Sequence, residues 1–102
     1  MEIKYKNYNL SLTIYIYGEL DEYSSSKAKE MLDKVILDNA LVKNCVFNLS
    51  GLSFMDSTGI GLLIGRYKKL RNLGVVSYIS GANFSAEKIL ELSGLYSIMP
   101  KR

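Results

Sequence analysis

The sequence predicts an α/β domain whose mixed, mostly parallel sheet of four to five strands starts with an N-terminal hairpin and carries about three helices. Three observations lead there: period-two runs at 3–6 and 10–17, a run from Val42 to Leu49 that is apolar on both parities, and stretches of helical spacing that alternate with the later strands. Strands separated by helices need crossover connections, and crossovers set strands parallel with helices packed on them. A length of 102 residues, 23% charged and 48% apolar, suits one compact unit, so residues 1–102 are read as a single domain without linker or repeat.

Residues 3–6 alternate apolar and basic, and Leu10, Leu12, Ile14 and Ile16 alternate with Ser11, Thr13, Tyr15 and Tyr17, the pattern of a strand with unlike faces. Asn7-Tyr8-Asn9 supplies turn formers between them, and Gly18 is expected to end the second strand. Serines 24–26 offer N-cap oxygens for a helix with Ala28, Met31, Leu32, Val35 and Ile36 on its apolar side, closed by Asp38-Asn39. The run Cys45, Val46, Phe47, Leu49 reads as a central strand beside the hairpin, covered on both faces. A second helical pattern (Ile60, Leu63, Ile64, Tyr67, Leu70) runs from Ser57 to the stop at Leu73-Gly74. Val75–Ser80 is then a strand, Asn83–Ser93 a third helix ending at Gly94, and Leu95–Met99 a short last strand.

Composition removes whole classes of chemistry. With no histidine and one cysteine, the chain has no Ser-His-Asp or Cys-His catalytic site and no His/Cys zinc site. The lone Cys45 has no partner for an intrachain disulfide and is read as a small core residue. A start of Met1-Glu2-Ile3-Lys4 lacks a signal-peptide layout and no apolar run is long enough for a membrane span, so the expected location is the cytoplasm. A net charge of +3 permits acidic partners without requiring them.

The densest signal is Leu52 to Lys68, with Gly59, Gly61 and Gly65 in or near a helix start. A glycine in a helix interior costs about 1 kcal/mol relative to alanine, so something is expected to approach the backbone: tight helix-to-sheet packing at Gly61 or Gly65, or negative charge at the free amides around Gly59. The spacing Gly59-x-Gly61-x-x-x-Gly65 departs from the dinucleotide fingerprint, and the Gly-Lys-Ser/Thr of a Walker A loop is missing. Ser57, between Asp56 and Thr58, could be an N-cap, but either neighbour could cap equally well. It lacks a base that would make it a nucleophile, whereas accepting a phosphoryl group from another protein needs only exposure. A phosphate there would add about two negative charges beside Asp56.

The run Ser53-Phe54-Met55-Asp56-Ser57-Thr58-Gly59-Ile60-Gly61, continued by Gly65-Arg66-Tyr67-Lys68, resembles the signature of STAS-domain anti-sigma factor antagonists, the sporulation branch above all. Gly18-Glu19-Leu20-Asp21 and Leu92-Ser93-Gly94-Leu95 match two further landmarks, so the similarity covers essentially the whole chain. The resemblance implies a STAS-like fold and an anti-anti-sigma factor that is not an enzyme and needs no cofactor or metal. Its unphosphorylated form would bind an anti-sigma factor serine kinase and free the sigma factor. Phosphorylation at Ser57 would switch binding off, and a phosphatase would reset it. Asp21 would lie near the phosphosite, and Asp56, Thr58, Gly59 and Gly61 would shape its loop. Asp21 could equally cap the first helix. Thr58 stands where relatives often carry a second serine, and the chain stops at Arg102 where many relatives continue into another helix.

Other readings are a STAS protein of a different partner-switching or stress-signalling pathway and a nucleotide-binding module. Arg66, Lys68, Lys69 and Arg71 are read as a solvated helix face, with kinase contact as the functional alternative. No direct nucleic-acid partner is expected, since no recognition helix or aromatic stacking motif accompanies these charges. A monomer is expected.

Overall fold

In the computed structural model, which describes residues 1–102, β1 (Glu2–Tyr8) and β2 (Ser11–Leu20) form the expected antiparallel hairpin. Tyr8 pairs with Ser11, and the two residues between them, Asn9 and Leu10, both have positive φ (49° and 63°), as a hairpin turn matched to the strand twist requires. β2 does not end at Gly18. That residue, at φ 97°, marks an irregularity in register, and pairing resumes through Leu20.

The remaining elements are α1 (Ser25–Asp38), β3 (Asn44–Asn48), β4 (Leu52–Met55), α2 (Ser57–Asn72), β5 (Val76–Ser80), α3 (Phe84–Leu92) and a 3-10 turn at Leu95–Ser97. The five-stranded sheet has the order β1-β2-β3-β5, and β4 also pairs with β2. β3 lies parallel to Ser11–Tyr15 and β4 parallel to Gly18–Leu20, so the two run in line along one long strand. The sequence does not announce β4, because four residues are too few to show a period. The expected strand at Leu95–Met99 is instead helical: Leu95 and Met99 are both buried one turn apart, and the Met99 amide donates to the Leu95 carbonyl. Strand-like pairing there is confined to a bridge between Ile79 and Lys101.

Register defines the two faces of the sheet. Leu12, Cys45 and Ser77 align, as do Ile14, Phe47 and Ile79, and these side chains are buried under the helices. Leu32 and Ile36 of α1, Leu63 and Leu70 of α2, and Leu90 of α3 join them in one continuous core. The opposite face, including Thr13, Val46 and Tyr78, has no helix over it, so the expectation that the central strand is covered on both faces fails. Val46 is nevertheless buried, in the middle of its row between Thr13 and Tyr78, which is why its sequence neighbourhood mimics a doubly covered strand.

Candidate functional site

The strands β2 and β4 run parallel, and their last paired residues are Leu20 and Met55. The next residue on each strand is an aspartate, Asp21 on one and Asp56 on the other, and the Asp56 amide donates to the Leu20 carbonyl at 3.4 Å. Asp21 and Asp56, 35 positions apart in sequence, therefore leave the same edge of the sheet side by side, about one strand spacing apart. This is the carboxyl end of the parallel strands, where open α/β sheets place their functional groups.

Asp56 is the N-cap of α2, with extended backbone and a carboxylate that accepts from the amides of Thr58 (2.9 Å) and Gly59 (3.4 Å). A side-chain cap of this kind stabilises a helix by about 1 kcal/mol. Ser57 is thereby released from the capping role, and as the first residue of α2 it is exposed. Gly59 is buried, and a β-carbon there would stand 2.6 Å from Met55 Cγ and 2.9 Å from the Leu20 carbonyl oxygen. The helix start can press against the β2–β4 ends only because residue 59 has no side chain. Gly61 and Gly65 are different: nothing lies within 4 Å of where their β-carbons would be. The close packing expected at Gly61 or Gly65 is found instead at Gly59, and the glycine at 61 leaves an open surface one turn beyond Ser57.

Asp21 accepts from the amides of Tyr23 and Ser24, both at 3.0 Å. Its acidity is raised, its pKa lying below the usual 3.8 chiefly because of the Ser24 amide. Ser24 is the N-cap by position, yet its side chain does not cap α1. The hydroxyl turns back, accepting from the Asp21 amide (3.0 Å) and donating to the Glu19 carbonyl (2.9 Å). Serines 24–26 thus do not supply the expected cap oxygen, and Asp21 organises the turn instead. No group of three or more histidine, cysteine, aspartate or glutamate side chains is placed to hold a metal.

Around this edge are aromatic residues the sequence reading did not single out. Tyr23, two residues after Asp21, is almost fully exposed, Phe54 precedes Met55 on β4, and Phe84 opens α3. The start of α3, and with it Phe84, is held to β4 by the N-cap Asn83, whose side chain donates to the Leu52 carbonyl at 3.1 Å and accepts from the Ala86 amide at 2.8 Å. The only signal for them in sequence is aromatic character at element ends, which burial alone can interpret.

The basic cluster divides. Lys68, Lys69 and Arg71 are exposed, but Arg66 is buried, its Nε 2.9 Å from Asp33 Oδ1 on α1. The two are at ion-pair distance without hydrogen-bond alignment. Lys69 Nζ reaches the other Asp33 oxygen at 3.5 Å. The cluster is therefore partly a seam between α1 and α2 rather than one solvated face.

Residues 2–102 match the STAS domain model. The chain is 31% identical over 100 residues to an anti-sigma F factor antagonist of Paenibacillus polymyxa, covering 98% of this chain and 85% of that one. It is 33% identical over 86 residues to an anti-sigma-B factor antagonist of Staphylococcus aureus, covering 84% of this chain and 78% of that one. Among solved structures, the anti-sigma factor antagonist SpoIIAA in its unphosphorylated form superposes with a TM-score of 0.77 at 25% identity, over 99% of this chain and 88% of that one. The Bacillus SpoIIAA in its phosphorylated form gives 0.69 at 25% identity, over 99% and 91%.

Proposed function

Since the chain belongs to the STAS domain family, we propose that it is an anti-sigma factor antagonist whose partner binding is switched by a phosphate on Ser57. The observation that carries the reading is the division of roles at the start of α2. Asp56 holds the Thr58 and Gly59 amides, so the neighbouring Ser57 hydroxyl is left exposed at the end of a helix. An incoming kinase meets a fixed, available hydroxyl and needs no base from this chain.

The unphosphorylated form binds the anti-sigma factor, itself a serine kinase, and thereby frees the sigma factor. Phosphorylation adds about two negative charges next to the carboxylates of Asp56 and Asp21. The helix N-terminus favours that charge, but Asp56 already occupies the Thr58 and Gly59 amides, so the phosphate is directed outward at the partner. Repulsion and desolvation across the contact release it, and a separate phosphatase restores the hydroxyl. Thr58, Gly59 and Gly61 give the loop its shape, with Tyr23, Phe54 and Phe84 as its apolar surroundings. The chain acts in the cytoplasm, as acceptor and not as catalyst. The unphosphorylated and phosphorylated forms described for SpoIIAA support this reading. The similar identities to anti-sigma F and anti-sigma-B factor antagonists leave both branches as candidate pathways.

The test is reaction with the cognate anti-sigma kinase and Mg-ATP, followed by mass spectrometry of the phosphopeptide. Phosphate is expected on Ser57, only when kinase is present. Ser57→Ala is expected to take up none and to stay bound to the kinase, and Ser57→Asp to bind poorly. Labelling of Ser57→Ala at the wild-type rate would overturn the site, and labelling without kinase would overturn the acceptor role.

A further inference from the structure

All three helices contribute to a core on one side of the sheet, which leaves the other side facing solvent. Four of the chain's eight tyrosines, Tyr8, Tyr15, Tyr17 and Tyr78, belong to that open face by register. Cations lie among them. Lys4 pairs with Tyr15, and its ammonium is 5.9 Å from the Tyr17 ring centroid; Lys6 pairs with Thr13. The C-terminal tail runs beside β5, with the Arg102 amide donating to the Ile79 carbonyl at 2.8 Å and its guanidinium 4.7 Å from the Tyr78 ring centroid. Glu2 is the one acidic side chain that alternation along β1 and β2 clearly assigns to this part of the face, and it sits 3.8 Å from Lys4.

We propose that this open face binds single-stranded RNA. The chemistry required is rings on which bases can stack, cations for the backbone and short polar side chains for base edges and 2′-hydroxyls. The face supplies all three, since Ser11 and Asn44 share the row of Tyr8, Thr13 that of Tyr78 and Asn48 that of Tyr15. β2 and β5 are separated by β3 and Tyr78 is level with Thr13, so Tyr15 and Tyr78 stand roughly 12 Å apart on a diagonal across the strands, leaving width for a nucleotide between them. Charge decides against a second copy as the occupant, because two such faces would oppose lysine to lysine. The face is distinct from the loop of Ser57, which lies at the strand ends, and from the α2 cations, whose lack of aromatic company is the ground for expecting no nucleic-acid partner; here register supplies that company.

The experiment is fluorescence polarisation of a labelled 12-mer oligouridylate with the full chain, over a salt series. Micromolar binding is expected, weakening about 20-fold between 50 and 200 mM salt as three cations release their counterions. Lys6→Glu is expected to reduce affinity at least tenfold and Tyr8→Ala at least about fivefold. Lys29→Glu, of equal charge change but on α1, is expected to leave it within twofold. Unchanged thermal unfolding of each variant separates lost contact from lost fold. No binding to the 12-mer overturns the proposal, and so does equal loss in the α1 variant. Equal or tighter binding of oligothymidylate or of an RNA duplex overturns the assignment to single-stranded RNA. Binding only to phosphatidylserine vesicles, or concentration-dependent dimerisation that excludes the 12-mer, assigns the face to those occupants instead.

Discussion

Asp21 and Asp56 end neighbouring parallel strands and make the same gesture, each accepting from the amides two and three residues ahead. Their serines meet opposite fates. After Asp21, the hydroxyl of Ser24 is tied into the turn by two hydrogen bonds with Asp21 and Glu19. After Asp56, Ser57 stands exposed on a helix that its neighbour caps. The same aspartate bonding thus leaves one structural serine and one available serine, and what separates them is position: Ser24 is three residues on, where its amide is held by Asp21, whereas Ser57 directly follows Asp56 and precedes the amides that are held.

The largest expected effect breaks the comparison at its chemical end. Ser57→Ala should abolish phosphate uptake from the kinase, whereas Ser24→Ala should leave uptake intact and show its effect in thermal unfolding, through loss of a half-buried bond network worth about 1 kcal/mol. Next comes the packing that brings the two loops together. Gly59→Ala forces a methyl against Met55 and the Leu20 carbonyl, and should lower stability by about 1–3 kcal/mol in denaturant titration. Gly61→Ala, with open space around it, should be neutral or raise stability by up to about 1 kcal/mol. Asp56→Ala removes the cap and should cost about 1 kcal/mol, while Asp56→Ser should recover most of that.

The smallest effect is a pH dependence at Asp21. Its folded pKa is depressed below 3.8, first by the Ser24 amide, so its stabilisation is complete at neutral pH and is lost as the solution is acidified through and below that value. Asp21→Asn should flatten a small part of the acid limb of the stability curve below about pH 4. An unchanged acid limb would mean that the turn holds without the carboxylate.

Much of this was legible in the residues, for definable reasons. The hairpin and the three helices declare themselves by period, and their stops by Gly74 and Gly94, both of which have positive φ. Ser57 stood out because its neighbours could cap without it, and Asp56 does. What was not legible depends on partners distant in sequence. Met55 and Leu20 decide that Gly59 and not Gly61 is the tight glycine, and Asp33 decides that Arg66 is interior. The four residues of β4 are too short to show alternation, and the apolar Cys45-Val46-Phe47 run conceals an uncovered sheet face.

Cys45 carries one more consequence. It is the chain's single thiol, fully buried between Leu12 and Ser77, and burial pushes its pKa to about 12. At neutral pH the native thiol is protonated and shielded, so oxidants and alkylating reagents find it only when the sheet opens. The molecule therefore carries its own clock: the rate at which Cys45 is alkylated counts openings of the centre of the fold. Any substitution at the Ser57 edge that alters partner binding without changing that rate has acted on the surface alone.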